Sequence, residues 1–78
     1  MKIEILGSGC AKCKKLAEVA DQAAQQLGLQ YELVKVTDLQ QIMGYGVMIT
    51  PALVVDGEVR VAGIVPSLAE TKTLLSTQ

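Results

Sequence analysis

Histidine, phenylalanine and tryptophan are absent from this 78-residue chain, and cysteine, proline and tyrosine occur only twice each. Each gap excludes something. A structural zinc site needs about four protein ligands, so a chain with no histidine and no third cysteine cannot close one alone. Half of the residues are hydrophobic but only 3% are aromatic, so any core must be built from Val, Leu, Ile and Ala. The net charge is −1 and the lysines form no long run, which gives no sign of a nucleic acid or an anionic membrane as partner. No apolar run approaches the ~20 residues of a membrane-spanning helix. Met1-Lys2 leads directly into a strand pattern with no apolar signal segment, which argues for the cytoplasm. Without linker, repeat or low-complexity stretch, residues 1–78 read as one small domain, near the lower size limit for a core without staples.

What the chain does have is Cys10-Ala11-Lys12-Cys13. Lys2-Ile3-Glu4-Ile5-Leu6 reads as a strand, closed by the breakers Gly7-Ser8-Gly9. Leu16, Val19, Ala20, Ala23, Ala24 and Leu27 then recur on one helical face, and Gly28 is placed to cap its end. The helix is predicted to begin at about Cys10, with both thiols in its first turn. First-turn N–H groups are unpaired and carry the positive end of the macrodipole, which favours a thiolate. Lys12, Lys14 and Lys15 add positive charge, and both effects lower a cysteine pKa from about 8.5 toward neutrality. Cys13, three residues before Leu16, continues the apolar stripe and should point inward; Cys10, at the cap, should face solvent. An exposed nucleophile with a shielded partner suits thiol–disulfide exchange.

Blander readings compete. Two buried structural thiols fit poorly beside glycines at a helix start. A structural disulfide closing so short a loop would remove little unfolded-chain entropy, and a reducing compartment suits a catalytic pair better. Copper(I) held by two thiolates is the serious rival.

The remaining chain completes the order β-α-β-α-β-β-α. Tyr31 to Val36 alternates and is β-rich, so strand, helix, strand make a parallel βαβ unit. Asp38 is a good N-cap for a short helix, with Gln41 in capping-box position, Leu39, Ile42 and Met43 expected to face inward, and Gly44 ending it. Ala52-Leu53-Val54-Val55 reads as a buried strand, Asp56-Gly57 as a hairpin turn, and Glu58 to Ala62 as the returning strand. Ser67 and Glu70 form a second capping box, opening a helix through about Ser76. Pro51 needs a reason at the mouth of a strand, since it cannot donate to a ladder; a trans proline starting an edge strand is the ordinary account.

This order, with Cys-x-x-Cys after the first strand and a proline before the third, resembles the thioredoxin/glutaredoxin superfamily, in particular its minimal redox-active disulfide proteins. The matching segments are Gly7-Ser8-Gly9-Cys10-Ala11-Lys12-Cys13, Tyr45-Gly46-Val47-Met48-Ile49-Thr50-Pro51 and Val55-Asp56-Gly57-Glu58-Val59. The resemblance implies an α/β thioredoxin-like fold with a four-stranded mixed sheet and helices on both faces. It also implies a thiol-disulfide oxidoreductase with Cys10 as nucleophile and Cys13 as resolving thiol, acting on protein or small-molecule disulfides. No cofactor or metal beyond the cysteine pair is expected. The partners would be a disulfide-containing client and a reductase, met by a monomer.

The resemblance further implies that the Thr50–Pro51 bond is cis and packs against the cysteines, leaving the Thr50 backbone free to pair with an extended substrate. Glu4, six residues before Cys10, lies at the offset of the acid that thioredoxins bury beneath the resolving cysteine. It would exchange a proton with Cys13; a strand-surface carboxylate is the alternative. Lys12 would tune the thiolate or stand solvated at the helix start. Tyr45 would border the groove or simply pack, and Val47 and Met48 would line an apolar rim near Pro51. Ala11-Lys12 differs from the Gly-Pro of common thioredoxins and the Pro-Tyr of common glutaredoxins. Residues 62–67 lack the Gly-Gly and acid that hold glutathione, and Gly9 stands where thioredoxins carry a tryptophan.

Two other functions stand beside this one. A copper(I) metallochaperone also places Cys-x-x-Cys after such a strand, but Ser8 replaces its methionine. Its fold also needs a helix through about residues 50–55, where Pro51 and Val54-Val55 oppose one. A non-enzymatic redox sensor would use the same disulfide to change a partner's affinity.

Overall fold

The computed structural model describes residues 1–7 and 11–76. Its elements are β1 (Lys2–Leu6), α1 (Ala11–Gln26), β2 (Glu32–Val36), α2 (Leu39–Gly44), β3 (Ala52–Val55), β4 (Glu58–Ala62) and α3 (Leu68–Ser76). The four strands form one mixed sheet in the order β2-β1-β3-β4. β1 runs parallel to β2 and antiparallel to β3, and β3 pairs antiparallel with β4. The central strands are almost wholly buried, whereas β2 and β4 at the edges are largely exposed or half-buried. That is why Ala52–Val55 is a continuous apolar run: it is covered on both faces.

Strand side chains alternate between faces, and the alternation divides the core in two. Ile3, Ile5, Leu53 and Val55 point to one side, where they meet Leu16, Ala17, Ala20, Ala23 and Ala24 of α1 and Leu75 of α3. Leu6, Ala52 and Val54 point to the other, with Val36 and with Ile42 of α2. The four alanines let α1 lie close to the sheet. The large side chains beside them supply most of the stabilisation, about 1.5–3 kcal/mol for each fully buried Leu or Ile. The α/β fold with helices on both faces is therefore present.

Local chemistry sets the ends. Gly28 adopts φ 67°, Leu29 N–H donates to Ala24 C=O and Gly28 N–H to Gln25 C=O, the double bond pattern of a glycine C-cap. Asp56 (φ 50°) and Gly57 (φ 84°) make the hairpin turn, and Asp56 also ties down β1 by accepting the Lys2 N–H at 2.8 Å.

Two expectations need correction. α1 stops at Gln26, and Leu27, in the capping turn before Gly28, is 37% exposed rather than part of the buried stripe. In α2 only Ile42 is buried, while Leu39 and Met43 are 69% and 65% exposed. Positions 39 and 43 are four apart and share one face, and a helix of six residues sets only one narrow stripe on the sheet. α2 ends at Gly44 as expected, with Tyr45 as the C-cap and Gly46 (φ 77°) in the left-handed turn that follows. Asp38 does cap it, accepting from Gln40 N–H at 3.0 Å.

Candidate functional site

The site begins with Cys13, third residue of α1, which is 5% exposed. It rests against Gly7, the residue after β1. A Cβ on Gly7 would overlap the Cys13 Sγ, lie 3.2 Å from the Cys13 Cβ and 3.9 Å from the Thr50 Cβ. Glycine at this position is what allows the start of α1, the end of β1 and the turn before β3 to converge. Beside Cys13 a cavity of ≈ 80 Å³ is lined by Ile5, Gly7, Cys13, Lys14, Lys35 and Thr37. Cys10, expected at the helix cap and facing solvent, lies outside the described residues, as do Ser8 and Gly9.

Thr50 is exposed and Pro51 buried, and the peptide bond between them is cis. The Pro51 carbonyl accepts from Gly63 N–H at 2.7 Å, extending the β3–β4 ladder by one pair. Gly63 is left-handed (φ 83°), and a Cβ there would lie 2.9 Å from Ile49 Cγ2, so the backbone approaches the loop as only glycine permits. Met48 (96%), Ile49 (61%) and Ile64 (57%) expose apolar side chains. Val47, grouped with Met48 in the expected rim, instead packs on the core cluster of the α2 side.

Glu4 is 6% exposed, which overturns the reading of it as a strand-surface carboxylate. The Tyr45 hydroxyl donates to Glu4 Oε2. That bond raises the phenol pKa above 10, with burial and the carboxylate's negative charge adding to it. Tyr45 also packs against the cluster of Leu6, Val36, Ile42, Ala52 and Val54. Ile5 and Gly7 line the cavity at Cys13, and Glu4, alternating with them along β1, turns to the opposite, α2 face. Lys12 stands exposed in the first turn of α1.

Three positions beside Cys13 were given no role there by the linear chain. Gly7 read as a breaker and as the first residue of a matching segment, and its place just beyond a buried strand and six residues before Cys13 was a usable signal for its packing role. Lys35 and Thr37 reach the cavity only because β2 lies beside β1. Among the described residues no group of three or more His, Cys, Asp or Glu side chains could hold a metal ion, and no helix is long and apolar enough to cross a membrane.

A mixed sheet flanked by helices on both faces, with a buried cysteine at the start of α1 facing the turn into β3, defines a thioredoxin-like protein. Residues 1–76 match the family model described as Thioredoxin domain. A protein named Thioredoxin from Methanothermobacter thermautotrophicus is 42% identical over 76 residues, covering 97% of this chain and 99% of the relative. A second, also named Thioredoxin, from Methanocaldococcus jannaschii, is 37% identical over 75 residues, covering 96% and 86%. A third, named Probable Thioredoxin, from Methanothermobacter marburgensis, is 33% identical over 67 residues, covering 81% and 79%. The chain belongs to the thioredoxin family and is a thioredoxin-like redox protein. The copper-carrier fold is excluded by β3, a strand where that fold requires a helix.

Proposed function

We propose that this protein is a thiol-disulfide oxidoreductase in which Cys10 attacks and Cys13 resolves. The observation that carries the reading is the burial of Cys13 at the start of α1, against Gly7 and beside Thr50. The Cys10 thiolate, favoured by the helix N-terminus and by Lys12, Lys14 and Lys15, attacks one sulfur of a client disulfide. A mixed disulfide forms and the first client thiolate leaves. Cys13 then loses its proton and attacks Cys10 Sγ, so that the Cys10–Cys13 disulfide forms and the second client thiolate leaves. The client gains two electrons and the chain loses two; an external thiol or dithiol donor resets it.

Glu4 points away from Cys13, which favours water over direct transfer to this acid. The cavity at Cys13 has room for a water molecule, and Lys14, Lys35 and Thr37 are among the residues that line it. An extended client chain would pair with the exposed backbone of Thr50 beside Pro51, its side chains meeting Met48, Ile49 and Ile64. The reaction needs no cofactor beyond the two cysteines, and it suits a monomer working in a reducing cytoplasm on a disulfide client and a reductase.

The test is turnover of insulin disulfides with dithiothreitol as electron donor. The native chain should accelerate reduction, Cys10→Ser should be inactive, and Cys13→Ser should accumulate a mixed disulfide with the client. Alkylation of the reduced chain should modify Cys10 well before buried Cys13. Retained turnover in Cys10→Ser, or faster labelling of Cys13, would reverse or remove the assigned roles.

A further inference from the structure

We propose that Tyr45 is a positioning residue for exchange with protein disulfides: its bond to Glu4 fixes the near end of the segment 45–50 and so sets the Thr50 backbone beside Cys13. The inference rests on the reading of Thr50 as the client-pairing residue. The segment joins α2 to β3 and carries three exposed residues in succession, Met48, Ile49 and Thr50. At its far end it is fastened by the bond from Gly63 N–H to the Pro51 carbonyl.

At the near end the backbone N–H groups of Tyr45 and Gly46 donate back into α2, to the Ile42 and Met43 carbonyls. α2 is a six-residue helix with one buried residue, a weak foundation by itself. The Tyr45 hydroxyl supplies a firmer one. It crosses 41 positions of sequence to a carboxylate on β1, a central strand buried along four of its five residues. Val47 packs into the same cluster and keeps the segment close to the sheet. Glu4 is nearly buried, and a charged acceptor makes the bond stronger than a neutral pair. The phenol is protonated at neutral pH and so donates, and the bond to Glu4 raises its pKa further. β1 thus connects both halves of the site: Gly7 at its end seats Cys13, and Glu4 within it holds the loop that presents Thr50.

A small disulfide needs no backbone pairing, whereas an extended protein client does. Tyr45→Phe keeps the ring packing and removes only the donor. It should raise KM for insulin about three- to tenfold, the range of one lost hydrogen bond, with kcat nearly unchanged. The rate with 5,5′-dithiobis(2-nitrobenzoate) should stay within twofold of the native chain. Glu4→Gln, whose amide oxygen still accepts but carries no charge, should raise the insulin KM less than Tyr45→Phe does and leave the 5,5′-dithiobis(2-nitrobenzoate) rate unchanged. Because Tyr45→Phe strands a buried carboxylate and can lower stability, Glu4→Leu/Tyr45→Phe serves as the second variant. Replacing both partners by apolar groups should restore the denaturant midpoint without restoring KM for insulin. An unchanged insulin KM, an equal loss on both substrates, or recovery of KM together with stability in the double variant would overturn the proposal. A native chain that fails to reduce insulin at all would instead overturn the oxidoreductase reading beneath it.

Discussion

Helices α1 and α3 begin on opposite electrostatic terms. At α3, Ser67 Oγ accepts from Glu70 N–H and Glu70 Oε1 accepts from Ser67 N–H, each at 3.1 Å. The bond from the Ser67 backbone, then that from its side chain, hold the Glu70 carboxyl below its ordinary 4.5. An acid in the first turn also complements the macrodipole. α1 has no acid in its first turn and carries Lys12, Lys14 and Lys15 there instead. Cations at that end oppose the dipole and stabilise nothing locally. In the proposed mechanism, the thiolate of Cys10 is the anion that such cations would serve. On the proposed reading, one helix start serves stability and the other chemistry.

The contrast can be broken most strongly at Gly7. Gly7→Ala forces a methyl into Cys13, so α1 must shift or the thiol must move. We expect a loss of about 1–3 kcal/mol in denaturant unfolding together with slowed insulin reduction; a stable and fully active variant would show that Gly7 does not seat the cysteine.

At the other helix the same order of damage should leave chemistry intact. Ser67→Ala removes a cap at a cost of about 1 kcal/mol, with exchange rates unchanged. The Glu70 contribution has a defined pH sign. Its folded pKa lies below the unfolded value, so the stabilisation is present above the unfolded pKa and is lost as pH falls through the folded one. The gap in stability between the native chain and Glu70→Gln should therefore be full at neutral pH and close as the pH drops below about 4.5. A gap independent of pH would assign it to packing.

The smallest effect is expected at Lys14. Lys14→Glu places an acid in the first turn of α1 and should raise stability by about 0.3–1 kcal/mol at low salt, while slowing alkylation of Cys10. A variant that gains stability and keeps the alkylation rate would dissolve the distinction between the two helix starts.

Much of this was readable along the chain because the signals are local. The order of the seven elements follows from periodicity and breakers. The Gly28 cap, the Asp56-Gly57 turn and the Ser67–Glu70 box each involve residues a few positions apart, and each formed where its chemistry placed it. α2 shows where local reading fails. Leu39, Ile42 and Met43 are equally apolar, and nothing in their spacing says which one the sheet will cover.

The sequence by itself determined the elements and the cysteine spacing, since helix phase, strand alternation and turn residues act over a few bonds. The tertiary structure alone decided that β1 lies between β2 and β3, and hence that Lys35 and Thr37 border Cys13. It also decided that Gly7 is where Cys13 must rest, and that Glu4 turns from Cys13 toward Tyr45, 41 residues away. Such contacts depend on which strand faces meet after the chain has closed on itself. Strand parity assigns each residue a side, but only the packed sheet shows what stands there to receive it.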